Sequence, residues 1–404
     1  MKATIHKDPQ RLTAVSTTPL FDRSKWETLP FGAFADCISE RAHPTDFADA
    51  IYVGLEHLDP ENLHIRRWGK GSDVEGVKLR FYKGDIIFGR RRAYQRKLAV
   101  AEVDGICSAH AMVLRANPEL CLPEFLPFLM MSDAFMKRAV EISVGSLSPT
   151  ISWGVLKQQR FALPPLDQQR RIAELLWAVD ESMVRYKDLQ NRIDGFYEVY
   201  RDELVNGRIG SSSEAILTAL PDGWESRTVG EVVKLIGGSQ PPRDTFEYQE
   251  KDDNIRLIQV QDYKSDERAV YIKKDVARRH CNKDDVMIGR YGPPVFQIYR
   301  GLEGSYNVAL IKALPLDGLQ KGYLYHFMKQ KPLFELIDHL SQRSSGQTGV
   351  DMDALRSYPF PLPSIEEQTR LTLELDNLNS LSKLIETHIE STRRMCLSII
   401  NAAS

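Results

Sequence analysis

The sequence has none of the features of a secreted or membrane-spanning chain. No apolar run approaches the roughly 18 residues that a membrane helix needs, and Met1–Gln10 lacks an apolar signal core. The five cysteines are scattered and never form a C-x-x-C pair, which argues against a zinc site or a disulfide framework and favours a reducing compartment. These absences predict a cytoplasmic protein without a membrane partner.

Catalytic motifs are missing as well. No G-x-G-x-x-G motif follows a predicted strand. Gly69–Ser72 resembles part of a phosphate-binding loop, but His64 stands where the first glycine belongs and Gly71 follows the lysine. The nine histidines form no H-E-x-x-H motif. The sequence therefore predicts neither a catalytic residue nor a metal site.

Overall charge has no strong sign, since 53 Lys and Arg residues against 55 Asp and Glu residues give a net charge of −2. The charge is unevenly placed, however, because Lys83–Lys97 contains six basic residues and one acid, Asp85. A hydrophobic content of 42% is typical of a globular protein. The length of 404 residues suits two or three domains.

The sequence does contain the same segment twice. Phe161–Ile172 (FALPPLDQQRRI) reappears 199 residues later as Phe360–Leu371 (FPLPSIEEQTRL). Four further pairs keep nearly the same offset: Trp26-Glu27 with Trp224-Glu225, Lys83–Arg90 with Lys283–Arg290, Phe125-Leu126 with Tyr323-Leu324, and Thr150–Leu156 with Gly349–Leu355. The sequence between them differs, above all after Gly89 and Gly289. The halves are therefore predicted to share a scaffold and to differ in the segments attached to it.

Short β-rich runs and helical patterns recur in the same order in both halves, which predicts the α+β class. Strands are expected at 50–55, 77–82, 85–88, 111–114, 254–260, 285–288 and 308–311. Helices are expected at 125–140 and at 322–340, the second bent at Pro332. The expected architecture is two pseudo-symmetric domains, each a small twisted sheet with helices.

Each half ends in a long helix with coiled-coil-type apolar spacing. The first helix is expected to begin at a cap, Asp167, behind Pro164-Pro165. Its stripe is Ile172, Leu176, Val179, Met183, Tyr186, Ile193, Tyr197, Tyr200 and Leu204, with Gln190 as a polar break; the second stripe includes Leu371, Leu375, Leu378, Ile385, Ile389 and Ile399. A single stripe is explained by a helix packed on its own domain. Two matched stripes favour an antiparallel, coiled-coil-like pair with the domains at opposite ends of a rod.

These patterns divide the chain into six predicted segments. They are an N-terminal segment 1–25, a first domain 26–163, a central helix 164–209, a linker 210–219, a second domain 220–361 and a C-terminal helix 362–404.

The basic loop after Gly89 is the main candidate for a binding site. Arg can form two hydrogen bonds with guanine or bind phosphate, Gln can pair with adenine, and Tyr can pack on a sugar or base. A solvated basic loop is the alternative, but the loop after Gly289 keeps one Arg and changes the rest, as two different recognition loops would. The candidates are Arg90, Arg91, Arg92, Tyr94, Gln95, Arg96 and Lys97, with Arg290 and Tyr291 in the second loop.

Other basic and polar surface residues are secondary candidates for DNA binding. They are Arg66, Arg67, Gln240, Arg243, Arg278, Arg279, Arg343 and Gln347. The last two lie in a small polar turn whose counterpart is Ser143–Thr150. Backbone amides and hydroxyls in these turns could hold phosphates, or the segments could simply be turns.

Four ordered motifs carry a resemblance to a known family: Leu220–Glu225 (LPDGWE), Lys283–Arg290 (KxDxxxGR), Ser345–Val350 (SGQTGV) and Pro361–Gln368 (PLPxIEEQ). They resemble the specificity subunits of type I restriction–modification enzymes, and the similarity extends from about Trp26 to the C-terminus. The first copy departs from the pattern at Lys25-Trp26, Gly145–Ser148 and Asp167–Gln169.

The resemblance implies a non-catalytic chain with two target-recognition domains. Each domain would recognise one half of a split, asymmetric site in double-stranded DNA, and the helix pair would set the spacer between the halves. Two adenine-methyltransferase subunits would dock on the helices, and restriction/translocase subunits would join them. S-adenosylmethionine, ATP and Mg would belong to those partners, with no cofactor in this chain.

Two other functions stay open at this point. A pseudo-symmetric scaffold that binds proteins would show no salt-sensitive affinity for DNA. A stand-alone endonuclease or methyltransferase would cut or methylate DNA as a pure chain.

Overall fold

The computed structural model of the chain describes residues 20–207, 220–292, 294–343 (for Arg343 the backbone alone) and 349–404. Most of the predicted N-terminal segment, the predicted linker 210–219 and Gln347 lie outside the described residues. The chain forms two compact units. Unit 1 comprises Met1–Lys187 with His388–Ser404, and unit 2 comprises Asp188–Thr387.

Unit 1 is a mixed α+β unit. Its elements are β1 (Glu27–Pro30), α1 (Phe31–Phe34), β2 (Ala35–Ile38), β3 (Arg41–Ala42), β4 (Ile51–Val53), β5 (Gly69–Lys70), β6 (Lys78–Phe81), β7 (Ile86–Phe88), β8 (Leu98–Val100), β9 (Gly105–Cys107), β10 (Met112–Ala116), α2 (Leu126–Met131), α3 (Asp133–Glu141), α4 (Trp153–Leu156), β11 (Arg160–Leu163) and the first part of α5 (Leu166–Val205).

Unit 2 repeats this order. Its elements are β12 (Glu225–Thr228), α6 (Val229–Val232), β13 (Val233–Gly237), β14 (Asn254–Ile258), β15 (Tyr271–Lys273), β16 (His280–Cys281), β17 (Val286–Gly289), β18 (Ile298–Tyr299), β19 (Gly304–Tyr306), β20 (Leu310–Pro315), α7 (Lys321–Met328), α8 (Lys331–Arg343), α9 (Met352–Ser357), β21 (Pro359–Leu362) and the first part of α10 (Ile365–Ala402). The last part of α5 also belongs to unit 2, and the last part of α10 belongs to unit 1.

The sheet topologies confirm the internal repeat. In unit 1, β1 pairs with β11, and larger sheets have the strand orders β2-β10-β7-β8 and β3-β6-β9-β4-β5. In unit 2, β12 pairs with β21, and the orders are β13-β20-β17-β18 and β15-β14-β19-β16. A parallel pair occurs at the equivalent place in each unit, β4 with β9 and β14 with β19.

Strands β7 and β17 are apolar along their whole length because both of their faces are buried. Successive side chains of a strand point to opposite faces. In β7, Ile86 and Phe88 join one hydrophobic cluster of unit 1, whereas Ile87 joins another. In β17, Ile288 and Met287 are divided between two clusters of unit 2 in the same way. These strands therefore form the central layer from which the two candidate loops extend.

The helix predicted at 125–140 is two helices, so the prediction of one continuous helix is wrong. Ser132 has an extended backbone (φ −64°, ψ 153°) between α2 and α3. Its side chain accepts a hydrogen bond from the Phe135 amide at 3.2 Å and caps α3. In unit 2, the helical segment is interrupted between α7, which ends at Met328, and α8, which begins at Lys331. Pro332 therefore lies in the first turn of α8, where proline is tolerated.

Helix α5 begins immediately after Pro165, and helix α10 begins immediately after Ser364. Asp167, predicted as the cap of α5, lies within the first turn, where its negative charge favours the helix N-terminus. Ser364 precedes α10, and its hydroxyl accepts a hydrogen bond from the Glu367 amide at 3.3 Å. After α5, Gly207 adopts a left-handed φ of 65°, a conformation that favours glycine at helix ends.

The helices pack antiparallel within each unit. In unit 1, the rings of Tyr186 and His388 lie 4.6 Å apart. In unit 2, Ser382 donates to Asp194 at 2.6 Å, and the Tyr200 hydroxyl donates to Glu374. Residue numbers therefore rise on one helix as they fall on the other. All the predicted stripe residues are buried or half-buried.

Both interpretations of the stripes hold in part, because the helix ends also pack into the domain cores. Ile172 and Leu176 belong to the main core of unit 1 together with Cys396 and Ile400. The corresponding core of unit 2 contains Leu204, Val205, Leu371 and Leu375. Burying each such side chain contributes about 1.5–3 kcal/mol, so each helix is anchored by its own unit as well as by its partner helix.

A buried glutamine fastens each long helix to the preceding domain. The Gln169 side chain accepts from the Leu122 amide and donates to the carbonyls of Leu120 and Pro164, all at 2.8 Å. The Gln368 side chain makes the equivalent hydrogen bonds. It accepts from the Gln320 amide at 2.8 Å and donates to the carbonyls of Gly318 at 2.8 Å and Pro363 at 2.9 Å. Both glutamines have no exposed surface. We call each arrangement an amide clip; it explains why this glutamine occurs in both copies of the repeat.

None of the helices in the described part of the chain is long and apolar enough to span a membrane.

Candidate nucleic-acid interface

The two candidate loops have the same backbone frame. In unit 1, the Gly89 amide donates to the Lys97 carbonyl at 2.9 Å, which closes a loop over residues 90–96. In unit 2, the Gly289 amide donates to the Gln297 carbonyl at 2.7 Å. The loops therefore start and end at equivalent positions, although their sequences differ.

A second segment holds each loop from the side. The Ile151 amide donates to the Arg90 carbonyl at 3.0 Å, and the Val350 amide donates to the Arg290 carbonyl at 3.1 Å. Isolated bridges join Arg91 to Thr150 and Tyr291 to Gly349. Residues 150–151 in unit 1 and 349–350 in unit 2 are thus part of each loop's support.

Left-handed backbone conformations shape the loops. Arg92 and Arg96 have φ values of 57° and 52°, and Phe296, at the position equivalent to Arg96, has a φ of 59°. Such a conformation costs a non-glycine residue about 1–2 kcal/mol. Phe296 offsets that cost by burying its ring in the core of unit 2, and Arg96 does so with polar contacts.

Three of the predicted DNA-binding side chains are engaged inside unit 1. Arg96 pairs with Glu61 at 3.1 Å and with Asp133 at 2.7 Å, and it also donates to the Met131 carbonyl at 2.5 Å. The Lys97 ammonium donates to the Leu55 carbonyl at 2.8 Å, and Arg90 donates to the Ala109 carbonyl at 3.0 Å. These contacts hold the loop in place, so the side chains are already committed within the protein.

The remaining loop side chains face solvent. Arg92 is exposed, Tyr94 is 57% exposed, and Arg91 and Gln95 are partly exposed. The loop therefore presents two guanidinium groups, a phenol and an amide, which together can bind phosphate and base edges. In unit 2, Arg290 lies over the ring of Tyr291 at 5.1 Å, and both are partly exposed.

The secondary candidates have varied surroundings. Arg66 is exposed, and Arg67 is exposed with an ion pair to Asp59 at 2.5 Å. The neighbouring backbone reaches the basic loop, since the Glu61 amide donates to the Arg96 carbonyl at 3.1 Å. The unit 2 candidates with exposed side chains are Gln240, Arg243, Arg278 and Arg279. The Arg343 side chain and Gln347 lie outside the described residues.

Several exposed apolar and aromatic side chains escaped the sequence analysis. Tyr248 protrudes from the loop that follows Arg243, and Val144 and Leu147 protrude from the turn beside the basic loop. Their sequence signal is weak, because a single apolar residue in a polar turn has no periodicity. Their position next to predicted polar candidates is the clue that sequence could have offered.

His64 links the first domain to α5 in unit 1. Its Nε2 atom lies 2.6 Å from an Asp180 oxygen, and its Nδ1 atom lies 2.9 Å from a Glu102 oxygen. The hydrogen bond with Asp180, reinforced by that with Glu102, raises the pKa of His64 above its usual value. A doubly protonated ring can donate to both carboxylates.

We expect the stabilisation from His64 to depend on pH. Because its folded-state pKa is raised, the contribution is fully present below the unfolded value of about 6.5 and is lost as pH rises through the higher folded value. His64→Gln should therefore lower the melting temperature more at pH 6 than at pH 9. An equal loss at both values would contradict the ion-paired histidine, and exposed His43→Gln is the control.

A buried polar network in unit 2 joins both long helices to α7. The Tyr197 hydroxyl lies 3.0 Å from His326 Nδ1, and His326 Nε2 lies 3.1 Å from Asp376, which also pairs with Arg300 at 2.6 Å. Burial lowers the pKa of His326, so the ring is neutral. Because a carboxylate only accepts, Nε2 carries the proton, and Nδ1 accepts from Tyr197. The hydrogen bond from His326, with Arg300, lowers the pKa of Asp376 to about 2.

Within the described residues, no group of three or more His, Cys, Asp or Glu side chains is placed to hold a metal ion. The cysteines of the described residues are unpaired thiols.

Comparison with protein families gives a match on both halves of the chain. The model described as "Type I restriction modification DNA specificity domain" matches residues 70–194 and 221–392. The chain belongs to this family. The resemblance predicted from the sequence is confirmed, sequence-specific DNA recognition is the function that the family carries, and the protein-scaffold alternative is not favoured.

Curated relatives are specificity subunits of type I restriction enzymes. The EcoDI subunit of Escherichia coli is 28% identical over 41% of this chain and 36% of that subunit. The putative MjaX subunit of Methanocaldococcus jannaschii is 24% identical over 86% of this chain and 85% of its own length. The EcoBI subunit of Escherichia coli is 21% identical over 79% and 74%. The similarity thus covers most of the length of two of these relatives and about a third of the EcoDI subunit.

Solved structures share the fold. The S subunit of a type I restriction–modification system from M. genitalium has a TM-score of 0.61 at 14% identity, covering 94% of this chain and 96% of that one. A chain from a structure concerned with assembly and conformational transition of the type I R-M system has a TM-score of 0.58 at 22% identity, covering 94% and 97%. The α+β class with two sheet-rich domains and long helices is confirmed.

Proposed function

We propose that this chain is the subunit that recognises DNA for a type I restriction–modification complex, with unit 1 and unit 2 each recognising one half of a bipartite, asymmetric site. One observation carries the proposal. The loops after Gly89 and Gly289 are closed by the same backbone hydrogen bonds but present different side chains. Such a pair suits two recognition surfaces with different targets.

The solvent-facing side chains indicate which groups of DNA each loop can bind. In unit 1, Arg91 and Arg92 supply positive charge for phosphates or guanine, while Tyr94 and Gln95 offer a ring and an amide to sugar or bases. In unit 2, Arg290 and Tyr291 are the corresponding groups. Arg96 and Lys97 act through the loop's conformation, because their charged ends already bind other parts of unit 1.

The long helices are proposed to dock the partner subunits. In unit 2, Phe196 and Val199 on α5 and Leu373 and Leu384 on α10 are exposed, although their helices bury other apolar residues. In unit 1, Met395 of α10 is exposed as well. Among these residues, phenylalanine and methionine are of types that are enriched at the centres of protein interfaces. We assign these faces to two adenine-methyltransferase subunits that bring S-adenosylmethionine, with ATP- and Mg-dependent restriction/translocase subunits joining them.

The helix pair is also proposed to set the spacer between the half-sites. Deleting residues 184–190 and 384–390 together removes one heptad from each helix and keeps facing residues in register. Each deletion shortens a helix by about 10 Å, which corresponds to about three base pairs. We expect methylated sites with unchanged half-sites and a spacer shorter by about that amount.

An unchanged spacer after these deletions would refute the proposal that the helix pair sets the distance between the half-sites. Lys187→Ala, which replaces an exposed residue within the deleted segment and keeps its length, should leave the site unaltered.

Methylome sequencing tests the proposed function. Cells that express this chain with its methyltransferase partner are expected to carry adenine methylation at one bipartite sequence, which disappears when the chain is deleted. Loss of methylation at a continuous site, or no change on deletion, would contradict the proposal. The same experiment returns the half-sites and the spacer that the variant experiments require.

A further inference from the structure

The turn between α3 and α4 of unit 1, Ser143–Thr150, exposes two apolar side chains. Leu147 is 91% exposed, more than any other large hydrophobic side chain of the described residues, and Val144 is 78% exposed. Single exposed apolar residues are common on protein surfaces. What distinguishes these two is the structure that holds them and the charge beside them.

The turn is a closed and well-connected element. Val144 and Thr150 exchange two backbone hydrogen bonds, at 3.1 and 2.9 Å, and Gly145 supplies a positive φ of 118° that favours glycine. The Ser143 hydroxyl donates to the Ala139 carbonyl at 2.8 Å, and the Thr150 hydroxyl donates to the Ser148 carbonyl at 3.1 Å. The donors of these two hydroxyls are engaged, so the exposed side chains of the turn are those of Val144, Ser146 and Leu147, and Leu147 is its largest exposed group.

The turn is fastened to the basic loop. The Arg92 amide donates to the Pro149 carbonyl at 2.8 Å, Arg91 forms a bridge with Thr150, and the Ile151 amide donates to the Arg90 carbonyl. Leu147 therefore lies on a support shared with the two outward guanidinium groups, those of Arg91 and Arg92. An apolar tip beside such a cationic loop is complementary to a partner with an anionic backbone and an apolar interior.

We propose that Leu147, supported by Val144, makes an apolar contact with base pairs in the half-site that unit 1 recognises. The proposal rests on the proposed function and adds a specificity residue outside the basic loop. Phosphates offer an aliphatic side chain nothing to bind, and they carry no sequence information. Base pairs do offer apolar surface, either as the thymine methyl group or as the faces of a partly unstacked step.

The test uses the full chain assembled with its methyltransferase partner and the site found by methylome sequencing. Leu147→Ala is expected to weaken binding to that site about 10- to 100-fold, the loss caused by one unfavourable base pair, while binding to unrelated DNA is unchanged. Methylation of duplexes substituted at each base pair should show relaxed specificity at one or two adjacent pairs of one half-site. Leu316→Ala, at an exposed leucine of unit 2, is the matched control.

Two modified duplexes identify the contacted surface. Replacing thymine with deoxyuridine at the relaxed pair should weaken wild-type binding but not that of Leu147→Ala, if the methyl group is contacted. The fluorescence of 2-aminopurine placed beside the relaxed pair should increase with the wild-type complex only, if the leucine enters the base stack. Either result supports an apolar contact with the bases, and failure of both overturns it.

The remaining outcomes are distinct from failure of the proposed function. If Leu147→Ala keeps wild-type affinity and specificity while Arg91→Ala/Arg92→Ala loses them, the inference is wrong and the proposed function stands. Equal weakening on cognate and unrelated DNA also overturns the base contact. If the wild-type complex itself fails to prefer any DNA sequence, the proposed function fails. Since Leu147 is almost fully exposed, an unchanged melting temperature should verify the fold of the variant.

Discussion

Replacing Arg91 and Arg92 together with alanine is expected to weaken binding to the methylated site about 100-fold or more and to relax one half-site only. The two side chains belong to the part of the basic loop that faces solvent. A well-formed arginine contact with a base contributes about 1–3 kcal/mol of discrimination. If the two arginines contact phosphates instead, affinity falls equally for all DNA sequences. The slope of log affinity against log salt concentration then becomes shallower by about 0.9 for each lost contact.

The measurement is binding to the cognate duplex and to duplexes mutated in each half-site, at several salt concentrations. Arg138→Ala/Arg185→Ala removes the same charge from unit 1. Both arginines are exposed and form ion pairs with nearby acids of their own helices, and exposed pairs of this kind contribute little to stability. Relaxation of both half-sites to the same degree would contradict two independent recognition units.

Arg96→Ala is the informative companion to this experiment. Arg96 holds the loop through Glu61 and Asp133, so its loss should act through loop conformation and stability. A reduced melting temperature along with reduced affinity would distinguish this supporting role from the direct contacts assigned to Arg91 and Arg92.

Breaking an amide clip should produce the largest change in stability. Gln169→Leu removes three hydrogen bonds and leaves the Leu122 amide and the carbonyls of Leu120 and Pro164 without that partner. An unsatisfied buried polar group costs about 1–3 kcal/mol, so a loss of about 3–5 kcal/mol is expected for unit 1. For a unit of this size, that corresponds to a decrease of roughly 6–20 °C in melting temperature.

Thermal unfolding followed by circular dichroism checks this expectation. Gln368→Leu should have a similar effect on unit 2, because its clip has the same three kinds of partner. Gln158→Leu changes an exposed glutamine of unit 1 and should leave the melting temperature nearly unchanged. If Gln169→Leu behaves like Gln158→Leu, the clip does not hold the helix to the domain.

The repeat made much of the fold predictable. Apolar runs such as Ile86–Phe88 and their partners two hundred residues later identified central strands, and the stripes identified both long helices. The break at Ser132 was missed because the flanking residues keep a helical pattern. The extended backbone of Ser132, and the capping hydrogen bond that its hydroxyl accepts from the Phe135 amide, show that the chain leaves and re-enters the helix there.

The site was predictable as a region but not residue by residue. The run from Arg90 to Lys97 appears uniformly basic in the sequence. Its side chains separate into inward and outward groups because Arg92 and Arg96 adopt left-handed conformations and because Glu61 and Asp133, distant in sequence, capture Arg96. Leu147 could not be assigned at all, since its relation to the loop depends on backbone bonds such as that from Arg92 to Pro149.

The sequence by itself determined the doubled architecture, the α+β class, the long helices and the family, because those properties follow from local periodicity and from motifs repeated at a fixed offset. The tertiary structure alone decided which cations are committed inside unit 1, which side chains of the basic loop face solvent, and why one glutamine recurs at Gln169 and Gln368. The physical reason is that ion pairing and the satisfaction of buried polar groups depend on partners brought together from distant parts of the chain.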